Sequence, residues 1–162
     1  MQGHFDLRDA RFRPVIMAAD VCARLPDVDL DDVETMLANG MLIGFNIAVD
    51  ATPRRGTQTD PNPRRELRVL VRSVEHYQGT GGMRALILPF SQIFQLMLPH
   101  DKPVITSAEL QRSMNCDSGH VINLIWAGLL KIVPGTDWSQ GRGCTASVQM
   151  ASYGAFLKAR QL

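Results

Sequence analysis

The chain repeats itself, and that repeat constrains the possible folds more than any other feature of the sequence. Val15-Ile-Met-Ala-Ala-Asp-Val-Cys-Ala-Arg-Leu25 lines up with Val104-Ile-Thr-Ser-Ala-Glu-Leu-Gln-Arg-Ser-Met114, each copy placing an acid five residues after its valine. Further on, Val33-Glu-Thr-Met-Leu-Ala-Asn-Gly-Met-Leu42 lines up with Val121-Ile-Asn-Leu-Ile-Trp-Ala-Gly-Leu-Leu130, so each copy ends an apolar-periodic helix at a glycine. A loop rich in Gly, Pro, Thr, Asp and Arg follows in both, then a β-prone stretch and a helix opened by serine. These last are Leu67 to Arg72 with Ser73-Val-Glu-His-Tyr77, and Val148 to Ala151 with Ser152-Tyr-Gly-Ala-Phe156. With 162 residues, 45% hydrophobic and 20% charged, the chain has the make-up of a folded protein and room for two small modules.

Local signals place the elements of the second copy. Thr106-x-x-Glu109 is a capping box that predicts a helix from Ser107 to Met114, with Ala108, Leu110 and Met114 as its apolar stripe. Asn115 and Cys116 make a short turn, Asp117 caps a second helix, and Val121, Leu124 and Ile125 recur at helical spacing until Gly128. Two β-prone arms, Leu129 to Val133 and Thr145 to Met150, flank Pro134 to Gly143, which reads as a hairpin whose tip uses Gly141 and Gly143 at positive φ.

The order Val104-Ile-Thr-Ser-Ala-Glu-Leu110, short turn, Val121-x-x-Leu124-Ile125-x-x-Gly128-Leu-Leu130, hairpin, Ser152-x-x-x-Phe156-Leu157 resembles the small winged helix-turn-helix of phage excisionases and MerR-type regulators. The resemblance covers the second copy and, more faintly, the first. It implies an α+β fold, mainly α with small β wings, in which two winged helix-turn-helix modules pack together through a connecting helix. The boundaries are 1–78 for the first module with an N-terminal extension, 79–103 for the linker and connecting helix, and 104–162 for the second module. The function it implies is non-enzymatic binding of double-stranded DNA, as a transcriptional regulator or an excision or recombination accessory factor, with helix 117–127 entering the major groove.

Charge decides which parts of such a protein can meet a duplex. The net charge of +1 is a cancellation. Residues 1–53 carry a net −5, residues 54–84 a net +4 and residues 85–162 a net +2. The first copy's second helix holds Asp29, Asp31, Asp32 and Glu34. Two readings stand for these acids: they serve the positive helix N-terminus, or they form a face for a basic partner protein. Arg54, Arg55, Arg64, Arg65 and Arg68 lie in the first copy's wing and return strand, where guanidinium groups suit bidentate phosphate contact. The competing reading pairs them with the acids of residues 20–34. Arg68 and Arg72 alternate with Leu67, Val69 and Val71, the pattern of a strand with one charged face.

The second copy's second helix has neither Lys nor Arg, and where the excisionase and MerR pattern starts this helix with arginine, Ser118 and Gly119 stand here. Its candidate base contacts are Ser118, His120 and Asn123, with Arg112, Lys131 and Arg142 around it for phosphate. Trp126 reads as a packing residue. A second functional class competes with DNA binding: a tandem winged-helix adaptor that binds a protein partner, as in condensin-like accessory subunits. The acidic helix 29–39 and the charge-free helix 117–127 favour it.

Between the copies, Pro89 opens an apolar helix in which Phe90, Ile93, Phe94 and Met97 share a side. It is expected to pack between the modules and fuse their cores; the alternative is a homodimer interface. Catalytic and cofactor motifs are absent from the sequence: His4, His76, His100 and His120 have no metal-protease spacing, and no P-loop, dinucleotide or nucleophile-elbow motif occurs. No enzyme, cofactor or metal is expected. Cys22, Cys116 and Cys144 form no CxxC pair, which fits a reducing cytoplasm, and Cys22 and Cys116 read as small buried hydrophobes. The apolar stretch Met83 to Leu98 contains Arg84 and Pro89 and is too short to span a bilayer.

Overall fold

Asp29, Thr106 and Asp117 start three of the helices with side-chain caps, and Gly40, Gly81 and Gly128 end three of them in the left-handed region. The computed structural model describes residues 13–49, 65–98, 101–134 and 147–162. The first repeat runs β1 (Val15–Met17), α1 (Ala18–Arg24), α2 (Leu30–Ala38), β2 (Gly44–Asn46), β3 (Leu67–Leu70) and α3 (Val71–Thr80). A connecting helix α4 (Phe90–Met97) leads to the second repeat: β4 (Val104–Thr106), α5 (Ser107–Met114), α6 (Ser118–Trp126), β5 (Ser147–Gln149) and α7 (Met150–Arg160). The architecture is α+β, with a three-stranded antiparallel sheet in the order β1-β3-β2 and a two-stranded antiparallel sheet β4-β5.

The caps do what their chemistry dictates. At α5, the Glu109 amide donates to Thr106 Oγ1 at 3.2 Å while the Thr106 amide donates to the Glu109 carboxylate. At α2, Asp29 and Asp32 exchange the same pair of bonds, so two of the four acids of this helix are engaged with its own first turn. Asp117 accepts from the His120 amide at 2.8 Å to start α6. Gly40 (φ 81°) and Gly128 (φ 77°) close α2 and α6 in the left-handed region, where a side chain is strained.

The two copies match down to individual hydrogen bonds. The Val71 amide donates to the Pro14 carbonyl and the Met150 amide to the Pro103 carbonyl, both at 2.9 Å, and so tie the last helix of each copy to its first strand. Ser73 Oγ accepts from the Ile43 amide at 3.1 Å, and Ser152 Oγ from the Lys131 amide at 2.8 Å. These serines are therefore not helix openers: each sits at the third position of its helix, and the strands end at Leu70 and Gln149, two residues earlier than the sequence pattern suggests. Neither helix has a side-chain cap, so its start carries no readable local signal. The arm Leu129 to Val133 contributes one isolated bridge, Ile132 to Val148, and the tip with Gly141 and Gly143 lies outside the described residues.

The sheet of the first repeat is buried on both faces. Cross-strand partners Ile16 and Val69 turn toward a small cluster with Val21, Val33, Leu37 and Val74. Val15 and Leu70, on the other face, join a larger cluster with Phe45, with Ile93 and Met97 of α4, and with Ile105, Leu110, Met114, Leu124, Tyr153 and Leu157 of the second repeat. Burial of each such side chain contributes about 1.5–3 kcal/mol, so this shared cluster is the main force holding the copies together. Phe94 of α4 packs its ring 5.8 Å from those of Phe90 and Tyr153. Of the apolar face of α4, Ile93 and Met97 are thus buried in the chain's own core, and Phe90 and Phe94 are half-buried against it. Gln161 bridges Phe45, and the Leu162 amide donates to Gly44, so the outer edge of β2 is covered by the second repeat.

Candidate functional site

Two of the side chains expected to contact DNA, Arg68 and His120, converge instead where the two repeats meet. Arg68 pairs across the sheet with Met17 and Phe45, on the face that meets the second repeat, and is only 6% exposed. Its Nε donates to the carbonyls of Met114 (3.1 Å) and Asn115 (3.0 Å), and its Nη1 to Leu67 O (3.1 Å) and the Glu66 carboxylate (3.4 Å). The guanidinium therefore caps the C-terminus of α5, where orphan carbonyls and the negative end of the helix dipole favour a cation. Asn115 holds the left-handed conformation that ends this helix, and its amide reaches Val15 O at 3.4 Å. His120 Nε2 lies 2.6 Å from Ile47 O; a carbonyl only accepts, so Nε2 carries the proton. Arg160 adds a fourth link, donating to Ala48 O at 2.9 Å while its guanidinium lies 5.3 Å from the centre of the Phe156 ring.

Around this junction a cleft of about 370 Å³ is lined by Met17, Glu66, Arg68, Asn115, Cys116, Asp117 and His120. The Cys116 thiol is pushed up to about 12, first by burial, with Arg68 opposing and Asp117 and Glu66 adding to the rise. It is protonated at neutral pH and therefore a poor nucleophile.

The residues expected to contact DNA do not form one surface among the described residues. Arg54, Arg55, Arg64 and Arg142 lie outside them. Arg65 is exposed and pairs with Glu34 at 3.5 Å, a contact between partly exposed groups worth about 0–1 kcal/mol. Arg68 is corrected from a phosphate contact to an internal cap, and His120 from a base contact to a link between repeats. Arg112 is half-buried, and its Nε is enclosed without a hydrogen-bond partner among the described residues. Ser118 is half-buried at the first turn of α6, whereas Asn123 and Lys131 are exposed. Trp126, expected to pack, is 71% exposed at the end of α6, and Cys22 and Cys116 are half-buried rather than buried.

No protein-family model, curated protein or solved structure matches this chain. Among the described residues, no group of three or more His, Cys, Asp or Glu side chains could hold a metal ion, and no helix is long and apolar enough to cross a membrane. Glu66 and Asn115 had no signal as junction residues: one lies beside a run of arginines, the other reads as a turn. Ser73 and Ser152 were visible as a repeated serine, but their hydrogen bonds were not.

Proposed function

We propose that this chain is a non-enzymatic tandem winged-helix adaptor that docks a protein partner, with the outer face of α6 as its docking surface. The element order strand, helix, helix, strand, strand, helix in the first repeat, matched in the second by β4, α5, α6, the Ile132 bridge, β5 and α7, supports the winged-helix reading. The observation that carries the adaptor reading is the chemistry of the two second helices. On α2, Asp31 and Asp32 are exposed together with the capping Asp29, a surface that a duplex repels. Helix α6 bears no Lys or Arg, and its one ionisable side chain, His120, is turned onto Ile47. What α6 offers outward is Gly119, Asn123 and Trp126. A charge-depleted patch around an exposed tryptophan is the composition of a protein interface core.

DNA binding is the competing reading, and it rests on the net +4 of residues 54–84, with Arg54, Arg55, Arg64 and Arg65 as phosphate contacts. A filter-retention titration with random duplex at low salt separates the two. The adaptor reading expects no retention at micromolar protein, and a photocrosslinking residue at position 123 that captures a protein partner in cells only while Trp126 is intact. Retention whose salt slope flattens when those four arginines become alanine overturns it in favour of DNA.

A further inference from the structure

The cleft between the repeats contains a buried cation with unused donors. A guanidinium has five N–H groups. In Arg68, Nε and Nη1 are committed to Met114, Asn115, Leu67 and Glu66; Nη2 makes no bond to a described residue and is not among the enclosed nitrogens, so it opens onto the cleft. The rest of this guanidinium is held in place by its four bonds, so an acceptor arriving in the cleft replaces water on a preorganised cation at a smaller ordering cost than on an exposed arginine. The same cleft presents the carboxylates of Glu66 and Asp117, and beside them the apolar side chain of Met17, which is 45% exposed. A simple anion would share the cleft with those two carboxylates and be repelled by them. A small molecule with both charges satisfies all three groups.

The geometry points to a binding site for a free amino acid: its carboxylate on Arg68 Nη2, its ammonium toward Glu66 and Asp117, and its side chain along Met17. The volume of about 370 Å³ falls at the small end of the range for small-molecule pockets, roughly 300–1,000 Å³, as suits a ligand of this size. Met17, Glu66 and Arg68 come from the first repeat and Asn115, Asp117 and His120 from the second, so an occupant bridges the repeats and stabilises their arrangement. This site is independent of the adaptor reading, since it uses neither the outer face of α6 nor Trp126.

The test is a nitrogen-15 NMR titration of the whole chain with leucine, glutamine, glutamate and arginine, each to about 10 mM. At least one is expected to shift the Arg68 Nε–H signal and the Asn115 and His120 amides saturably. The same acid lacking its amine should bind at least about tenfold more weakly. Glu66→Gln and Asp117→Asn both replace exposed side chains, asparagine caps a helix as well as aspartate, and glutamine keeps an acceptor for Arg68, so both variants should keep the wild-type amide spectrum outside the immediate neighbourhood of the substitution. Each is expected to weaken the amino acid several-fold and to narrow the gap to the acid lacking its amine. The proposal is overturned if none of the four amino acids shifts those signals saturably, or if both variants bind as the wild type does.

Discussion

Arg68 and Asn115 are joined across the two repeats by a 3.0 Å bond from the Arg68 Nε to the Asn115 carbonyl, beside a second from the same nitrogen to Met114. One side chain from the return strand of the first copy thus closes the first helix of the second. Arg68→Met, which retains an apolar stem of similar length, is expected to lower unfolding free energy by about 2–4 kcal/mol, because it strips both carbonyls of their donor inside the junction. Arg68→Lys should recover part of the loss, since a lysine keeps the charge but not the fork. Urea midpoints measure this. Equal midpoints for Arg68→Met and the wild type would remove Arg68 from the junction.

Ser73 and Ser152 make the same bond in different surroundings, which allows the two copies to be compared directly. Ser73 is buried and accepts from the buried Ile43 amide; Ser152 is half-buried and accepts from the amide of the exposed Lys131. Ser73→Ala leaves a donor that water cannot reach and is expected to cost about 1–3 kcal/mol, whereas Ser152→Ala, with water able to replace it, is expected to cost under about 1 kcal/mol. Equal losses in thermal or urea unfolding would show that burial does not set the cost at these sites.

The repeat, the Thr106–Glu109 capping pair, the Asp117 cap and the two closing glycines were legible in the sequence because each depends on residues close together in the chain. Thr106 with Glu109, Asp117, and Gly40 and Gly128 all act within one turn. What sequence could not show is which faces the second copy covers. The alternation Leu67, Arg68, Val69 reads as one apolar and one solvated face, yet the second repeat lies on the charged side, so Arg68 and His120 end in the junction. Trp126 fails for the converse reason: its helix buries Val121, Leu124 and Ile125, and position 126 falls outside that stripe.

The fully buried Tyr153 makes the fold sensitive to alkali. Ser113 Oγ donates to Met97 O at 2.7 Å, so its one proton is used, and the 2.6 Å bond to Tyr153 must be donated by the phenol. Burial holds the Tyr153 phenol above its ordinary range. A group raised in the folded state keeps its contribution below the unfolded value, about 10 for tyrosine, and loses it as pH rises toward the folded one. Cys116, raised from 9.0 to about 12, acts in the same direction from about pH 9 upward. Stability is therefore expected to fall between about pH 9 and 12, with a slope approaching about 1.4 kcal/mol per pH unit for each group. Tyr153→Phe should cost about 1 kcal/mol at pH 7 and remove the part of the slope above about pH 10. An unchanged slope in that variant, measured by urea unfolding across the range, would place the alkaline sensitivity elsewhere.

Trp126 separates a docking role from a structural one, because a residue 71% exposed has little packing to lose. Trp126→Ala is expected to change unfolding free energy by no more than about 0.5 kcal/mol. As the centre of an uncharged patch it should matter far more to a bound protein, where truncating a hot-spot tryptophan costs about 2 kcal/mol or more, roughly thirtyfold in affinity. The exposure itself can be checked first. In a Trp138→Phe background, Trp126 becomes the one tryptophan in the chain, and acrylamide should quench its emission nearly as efficiently as that of a free indole. Strong shielding from acrylamide, or a loss of stability of about 2 kcal/mol on substitution, would mean that the chain itself uses Trp126, and the docking surface on α6 would have to be abandoned.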